Sequence, residues 1–484
     1  MRHAHPVAEV RAAEARLAAG LPPGTLMDRA VAGIAAAVLR RLPAAYGSRV
    51  AVLAGRGDNG ADALRAGARL ALRGARVEAL LVGGGEPVAL AALRAAGGRT
   101  TDDVGVLARA DVVLDGMVGI GGRGALREPA ARWARAANDS GAFVVAVDVP
   151  SGVDADTGAV PGDAVRADLT VTPGTGKPGL LVLPGAALCG TVEHVDIGLA
   201  PELPPARLAG LDDADVGALL PVLPPESSKY SRGVLGVVAG GPAYTGAAVL
   251  CVGGALAQGV GMVRYVGPRH PAEVVRQRWP EVVVTEVEPG DPGAVLGAGR
   301  VQAWVVGPGA GTDAAARGVL AAVLATDLPV LVDADGLTVL AADPGLVRGR
   351  GAPTLLTPHA GEFGRLTGVD AGDVAADRVG AARAAAADLG VTVLLKGGTT
   401  VVADPDGEVL VAAAGTPALA TAGSGDVLAG AAGALLAAGL PALPAGAAAA
   451  HLHGLAGRLG PQPLRADLLA DAWPAAVARV LGRD

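Results

Sequence analysis

Short apolar runs recur along the chain, and nearly all of them are continuous rather than alternating. Residues 49–54 (RVAVLA), 77–82 (VEALLV), 111–115 (DVVLD), 143–149 (FVVAVDV) and 169–173 (LTVTP) are predicted strands, with Ala- and Arg-rich helical stretches between them. A strand that is apolar on both sides has both faces covered, so the pattern predicts a mostly parallel sheet with helices on both faces. The stretch 206–227 breaks it with Pro221, Pro224 and Pro225 and reads as a linker, carrying one short helix near 211–220. The alternation then resumes at 234–239, 262–266, 282–287, 303–307, 329–333, 354–357, 391–395 and 400–404, with 404–407 (DPDG) as a hairpin turn into 408–412. Two α/β domains are expected, 1–205 and 228–484. The uncharged stretch Val427–Ala450 is interrupted by Pro441 and Pro444 and predicts two buried helices, not a membrane span.

Composition narrows the class. A chain of 484 residues exceeds one ordinary core, and 51 % hydrophobic residues with only 2 % aromatic imply cores of small side chains that bring helix and sheet close together. The net charge is -7 with no basic stripe, which argues against nucleic acid as a partner. Cys189 and Cys251 lie far apart in sequence and read as small buried apolar residues. The N-terminus carries Arg2, Glu9, Arg11, Glu14 and Arg16 without an apolar h-region, so a cytoplasmic protein is expected.

Chemistry concentrates at the predicted strand ends. Ala422-Gly423-Ser424-Gly425-Asp426 precedes an Ala/Leu helix. Its glycines allow a sharp turn, and the amides that open the helix make an anion site. Asp426 then stands where a carboxylate can take a proton from a hydroxyl while those amides neutralise a phosphoryl group. Taken alone, the same loop also reads as a turn whose Asp caps the helix. Lys396-Gly397-Gly398-Thr399-Thr400, the segment 357–362 (TPHAGE), the segment 307–311 (GPGAG) and the pair Asp333 and Asp335 close four further strands and together outline a ligand crevice. His359 also reads as a hydrogen-bonded structural residue, and His451 and His453, two apart on a predicted helix, do not form a metal pair.

The ordered set GPGAG, VDADGL, LTPHAGEF, LLKGGTT and ATAGSGD, with TGAAVL at 245–250, resembles the NAD(P)H-hydrate dehydratase family over residues 228–484. The resemblance implies a ribokinase-like fold and a reaction in which ADP or ATP, with Mg2+, activates the hydroxyl of the hydrated nicotinamide ring for departure. It implies that Ala247, Gly309, His359 and Asp426 touch the hydrate. It places the nucleotide on Lys396, Gly397, Gly398, Thr399, Thr400, Gly423, Ser424 and Gly425, with Asp426 as base.

In the first half, 52–64 (VLAGRGDNGADAL) is a Gly-rich strand-to-helix loop, weak evidence by itself for a phosphate site. Asn59, Asp115 and Ser151 sit at three predicted strand ends and offer hard oxygen ligands suited to an alkali or alkaline-earth ion; the same residue types also favour turns and caps. LMDRA at 26–30, GRGDNGAD, DGMVGIG, DVPSGVDADTG and GKPGL resemble the NAD(P)H-hydrate epimerase family over residues 5–200 and imply a Rossmann-like three-layer sandwich. By that resemblance Asp58, Asn59, Gly60, Ala61 and Asp62, with Gly119, Ile120, Gly121, Gly122, Arg123, Gly124 and Ala125, line the substrate site. Asp148 and Lys177 move protons, and Asn59, Asp115 and Ser151 hold potassium. The loop departs from the family's usual Asn-Asn-Gly-Gly-Asp-Gly at Asp58, Ala61 and Ala63.

The expected whole is an enzyme of nicotinamide nucleotide repair that epimerises R and S hydrates and dehydrates the S form, most naturally as a homo-oligomer. Two alternatives stand beside it: a small-molecule alcohol kinase using the AGSGD loop, and an N-terminal half that only binds.

Overall fold

A computed structural model describes residues 1–483 and divides into two compact units, residues 3–208 and residues 1–2 with 209–484. The smaller unit is built on β1 (Arg49–Ala54), β2 (Arg76–Leu81), β3 (Arg99–Thr100), β4 (Val112–Gly116), β5 (Phe143–Val147), β6 (Leu169–Pro173) and β7 (Thr191–Val195). They run in the order β3-β2-β1-β4-β5-β6-β7, every pair parallel. The order reverses direction beside β1, and the loops after β1, β4 and β5 open at that switch point. Helices α1 (Val7–Ala19) and α2 (Asp58–Ala71) belong to this unit. β3 and β7 escape the sequence pattern because they are edge strands: Thr191–Val195 is largely half-exposed and carries Glu193 and His194.

The larger unit carries β8 (Val234–Val238), β9 (Met262–Gly267), β10 (Val283–Glu286), β11 (Ala303–Val306), β12 (Val330–Val332), β13 (Thr354–Leu356), β14 (Thr392–Leu395), β15 (Thr400–Ala403) and β16 (Val409–Ala412). Their order is β16-β15-β14-β13-β12-β11-β8-β9-β10. β8 to β14 pair in parallel, while β15 turns back antiparallel and meets β16 through the 404–407 turn. Asp404 closes that turn by exchanging backbone bonds with Glu408 and Gly407, the latter at φ +89°.

The stretch 206–227 is structured over much of its length. Leu208–Gly210 is a strand, the Leu211 amide bonds the Val411 carbonyl, and the helix Asp213–Leu219 starts with a capping box between Asp212 and Asp215. The small-residue core does what its composition suggests. Helix α3 (Thr245–Ala257) and helix α6 (Ser424–Ala437) lie so close that a side chain at Gly254 would strike the Val427 carbonyl, and one at Gly430 the Cys251 carbonyl. Three further helices, α4 (Ala360–Thr367), α5 (Arg378–Leu389) and α7 (Ala442–Leu459), matter below. α6 and α7 fill the Val427–Ala450 stretch, and no described helix is long and apolar enough to cross a membrane.

Candidate active sites

In the larger unit the C-terminal ends of β11, β12, β13 and β14 bring their loops together. Lys396, one residue past β14, is half-buried, and its Nζ lies 2.7 Å from Asp333 and 3.8 Å from Glu362. Burial pulls its pKa down, but Asp333 and Glu362 outweigh that and raise it, so the ammonium is charged. Asp333 is buried, and Ala334 beside it takes φ 52° and ψ -116°, one of two non-glycine residues at positive φ among those described. That conformation costs about 1–3 kcal/mol. It directs Asp333 to Lys396 while Asp335 accepts the Gly311 amide at 2.9 Å.

Gly423 caps α6 at φ 87°, which only glycine adopts cheaply. Ser424 is spent locally: its amide bonds Thr421 and its hydroxyl donates to Leu419 at 2.8 Å. The amides of Gly425 and Asp426 are then the helix-opening donors. A Cβ at Gly425 would sit 3.3 Å from Lys396 Nζ. Asp426 feels Asp333, Lys396, Asp335 and Glu362, and its pKa is pushed up to about 7, first by burial and then by Asp333, with Lys396 opposing. It is a carboxylate without an ion-pair partner in an acidic, partly desolvated site. That environment suits a general base near neutral pH.

The remaining C-terminal residues fall in two groups. Gly309, at φ 61°, backs onto helix α3, where its Cβ would lie 3.0 Å from that of Ala247. His359 caps α4, accepting the Gly361 and Glu362 amides at Nδ1 (3.0 and 3.3 Å), while its own amide donates to Glu362. The cap leaves the imidazole 56 % exposed with Nε2 outward, 3.5 Å from Glu362 Oε1. Gly397, Gly398, Thr399 and Thr400 form the turn from β14 into β15, with Thr399 buried. Asp333 and Glu362 tie Lys396 down; the motifs VDADGL and HAGEF contain them, but nothing local marks them as its partners.

In the smaller unit a cavity of about 800 Å³ is lined by Asp58, Asn59, Asp62, Gly119, Ile120, Gly121 and Asp148, and also by Arg11, Glu14, the turn 21–24 and the first residues of the helix Thr25–Leu39. Gly122, Arg123, Gly124 and Ala125 are not among its lining residues; Arg123 is exposed beside Asp154 and Asp156. Lys177 is not a solvated loop charge. It is 1 % exposed, with Nζ 2.6 Å from Asp148 and 2.8 Å from Thr172 Oγ1. Asp148 is the second non-glycine residue at positive φ (70°) and accepts the Ile120 amide. Asp62, on the first turns of α2, has a buried Oδ1 with no partner, and burial, then Asp148 and Asp58, push its pKa up to about 8. Glu14 is raised by burial too, with Lys177 opposing. Helix α1 carries Arg11 and Glu14 to the cavity, and no motif announces them. Gly60 and Ala61 lie within α2, and Ala61 is helical, so its side chain carries no backbone penalty.

Behind this cavity Asp115 is fully buried. It accepts the Ser151 amide (2.9 Å) and hydroxyl (2.7 Å) and the Met117 amide (3.2 Å), and burial pushes its pKa up to about 6 against those bonds. The Ser151 hydroxyl also receives the Val118 amide. With its amide turned so that both ends are satisfied, Asn59 accepts from Gly119 and donates to the Val147 carbonyl.

Comparison with known proteins agrees with this division. The NAD(P)H-hydrate dehydratase family matches residues 235–472, and the YjeF-related N-terminal family matches residues 23–179. The bifunctional NAD(P)H-hydrate repair enzyme of Mycobacterium leprae is 52 % identical over 95 % of this chain and 94 % of its own, and that of Mycobacterium tuberculosis strain CDC 1551 is 52 % identical over 91 % and 90 %. A ribokinase-like superfamily protein from Enterococcus faecalis V583 superposes at TM-score 0.51 with 24 % identity, covering 57 % of this chain and 98 % of its own, a likeness of fold.

Proposed function

The chain belongs to the family of bifunctional NAD(P)H-hydrate repair enzymes, and on that premise we propose that its two sites work in series on one damaged nucleotide. The smaller unit is the epimerase and the larger unit the ADP- or ATP-dependent dehydratase. The observation that carries the residue-level reading is Asp426, an unpaired carboxylate at a glycine-capped helix mouth, with its pKa pushed up to about 7 beside Lys396.

In the larger unit the nucleotide lies on Lys396, Gly397, Gly398, Thr399 and Thr400, and its terminal phosphoryl group meets the helix-opening amides at Gly425 and Asp426. Asp426 removes the proton of the ring hydroxyl as its oxygen takes that phosphoryl group. The phosphorylated oxygen then departs, pushed by the lone pair of the ring nitrogen, and loss of a proton from the neighbouring carbon restores the double bond. Ala247, Gly309 and His359 face the hydrate. Among the described residues the carboxylates of Asp333, Asp335 and Glu362 do not gather into a metal-holding cluster, so Mg2+ would arrive on the polyphosphate and neutralise its charge there.

In the smaller unit Asp148 and Lys177 move the protons that let the hydroxyl leave one face of the ring and water return to the other. A monovalent cation fits Asp115, since its buried charge meets only neutral donors, and Asn59 and Ser151 add oxygens. Asp115, Asn59 and Ser151 would hold potassium, which would supply countercharge where the 115–121 and 148–151 loops meet. The enzyme works on hydrated NADH and NADPH in the cytoplasm and associates with copies of itself in this reading.

The test is to give the protein hydrated NADH with ADP or ATP and follow return of the reduced nicotinamide, with Asp426→Asn beside it. The reading expects nucleotide-dependent recovery that the variant lacks. A stable phosphorylated alcohol with no recovered dinucleotide overturns it in favour of a small-molecule kinase.

A further inference from the structure

Beneath the Lys396–Thr400 loop lies a second cation. Arg378 opens α5, and its Nη2 donates to the carbonyls of Lys396 (2.8 Å) and Leu395 (3.3 Å). The guanidinium packs against Gly397, Nη2 nearest: a Cβ there would strike Nη2 and come within 2.9 Å of Cζ and 3.3 Å of Nη1. Gly397 is not among the glycines at positive φ, so it is the guanidinium, and not the backbone, that requires glycine.

Arg350 shows what a purely structural arginine looks like in this unit. Its Nε, Nη1 and Nη2 are all used, on the carbonyls of Leu324, Ala352, Pro353, Thr326 and Leu328 and the hydroxyl of Thr354. Arg378 differs. Its Nε is buried without a partner, its bonds go to two carbonyls alone, and burial lowers its pKa with no carboxylate to oppose it. A buried cation lacking a counterion is costly unless an anion arrives.

The peptide plane gives the consequence. A trans peptide points its C=O and N–H in opposite directions, so holding the Lys396 carbonyl toward Arg378 turns the Gly397 amide away from it. We propose that Arg378 is a positioning residue for the adenine nucleotide: it fixes the Lys396–Gly397 peptide with its N–H presented to the polyphosphate and sets an unpaired positive charge under that loop. This rests on the assignment of the Lys396–Thr400 loop to ADP or ATP.

The full chain with Arg378→Gln, Arg378→Lys and Gly397→Ala tests it, reading ATP affinity by calorimetry beside steady-state kinetics. Arg378→Gln is expected to weaken ATP binding and raise KM for ATP by about 10- to 100-fold, the value of one to two charge-assisted bonds. KM for the hydrate and epimerase activity stay unchanged. Arg378→Lys recovers part of the loss because it keeps the charge with fewer donors. Gly397→Ala displaces the guanidinium and raises KM for ATP in the same direction without touching the arginine. Unchanged ATP affinity in folded Arg378→Gln, or in Gly397→Ala should the former fail to fold, overturns the inference while leaving the functional reading intact. A wild-type chain that binds neither ADP nor ATP overturns both.

Discussion

Both units end parallel strands in acidic loops, bury one lysine against one aspartate, and strain one non-glycine residue into positive φ there: Ala334 next to Asp333 in the larger unit, Asp148 itself in the smaller. They differ in which carboxylate is left alone. In the larger unit Asp333 takes Lys396, so Asp426 stays unpaired and drifts to about 7. In the smaller unit Asp148, the residue assigned to the chemistry, is itself the lysine's partner, and the acids left without an ion pair at the cavity include Asp62, at about 8, and Glu14, also raised by burial. A base that must accept a proton and then part with it to solvent suits an unpaired site near neutrality. An exchange that must give a proton back in the same site suits a paired acid and base a hydrogen bond apart.

The comparison breaks first at Asp426→Asn. This variant is expected to lose about 10²- to 10⁴-fold in dehydratase rate while the epimerase rate is untouched; equal losses in both would mean a general folding defect. Next comes Lys177→Met, which strands Asp148 with 13 % of its side chain exposed. Urea unfolding should show the smaller unit weakened by about 3–5 kcal/mol. Third is the pH profile. In its proposed role as base Asp426 acts ionised, so dehydratase kcat/KM is expected to rise with pH and level above about 7. Asp333→Asn removes a charge that raises Asp426 and should move that limb down by about one pH unit. The smallest effect is on stability. Asp426 has a raised folded-state pKa, so its contribution turns against folding as pH climbs from the ordinary carboxylate value of 3.8 to about 7 and stays adverse above. Asp426→Asn should therefore raise the melting midpoint by about 2–4 °C per kcal/mol recovered, more at pH 8 than at pH 5.

The sheet cores were legible because buried parallel strands are continuous apolar runs; 49–54 and 169–173 coincide with β1 and β6 to the residue. What escaped was polar or short: Thr191–Val195 with its Glu and His, Arg99–Thr100, and the strand at 208–210 hidden among prolines. Glycine-rich loops marked the strand ends that gather, since turns and helix mouths need particular residues. Partnership between distant carboxylates and lysines left no local trace. Glu14 reaches the smaller unit's cavity from a helix with no motif, and only folding shows that Asp333 occupies Lys396 and leaves Asp426 free. The Ser424 hydroxyl, two residues before Asp426 in the first turn of α6, donates to the Leu419 carbonyl instead.

The division of labour between the units is tested most directly by supplying the R hydrate alone, with ATP, to the wild-type chain and to Asp148→Asn. The wild type should return reduced nicotinamide from it promptly. The variant should dehydrate the S hydrate at the wild-type rate and process the R hydrate no faster than it epimerises unaided. An Asp148→Asn chain that repairs the R hydrate as fast as the wild type would contradict the account.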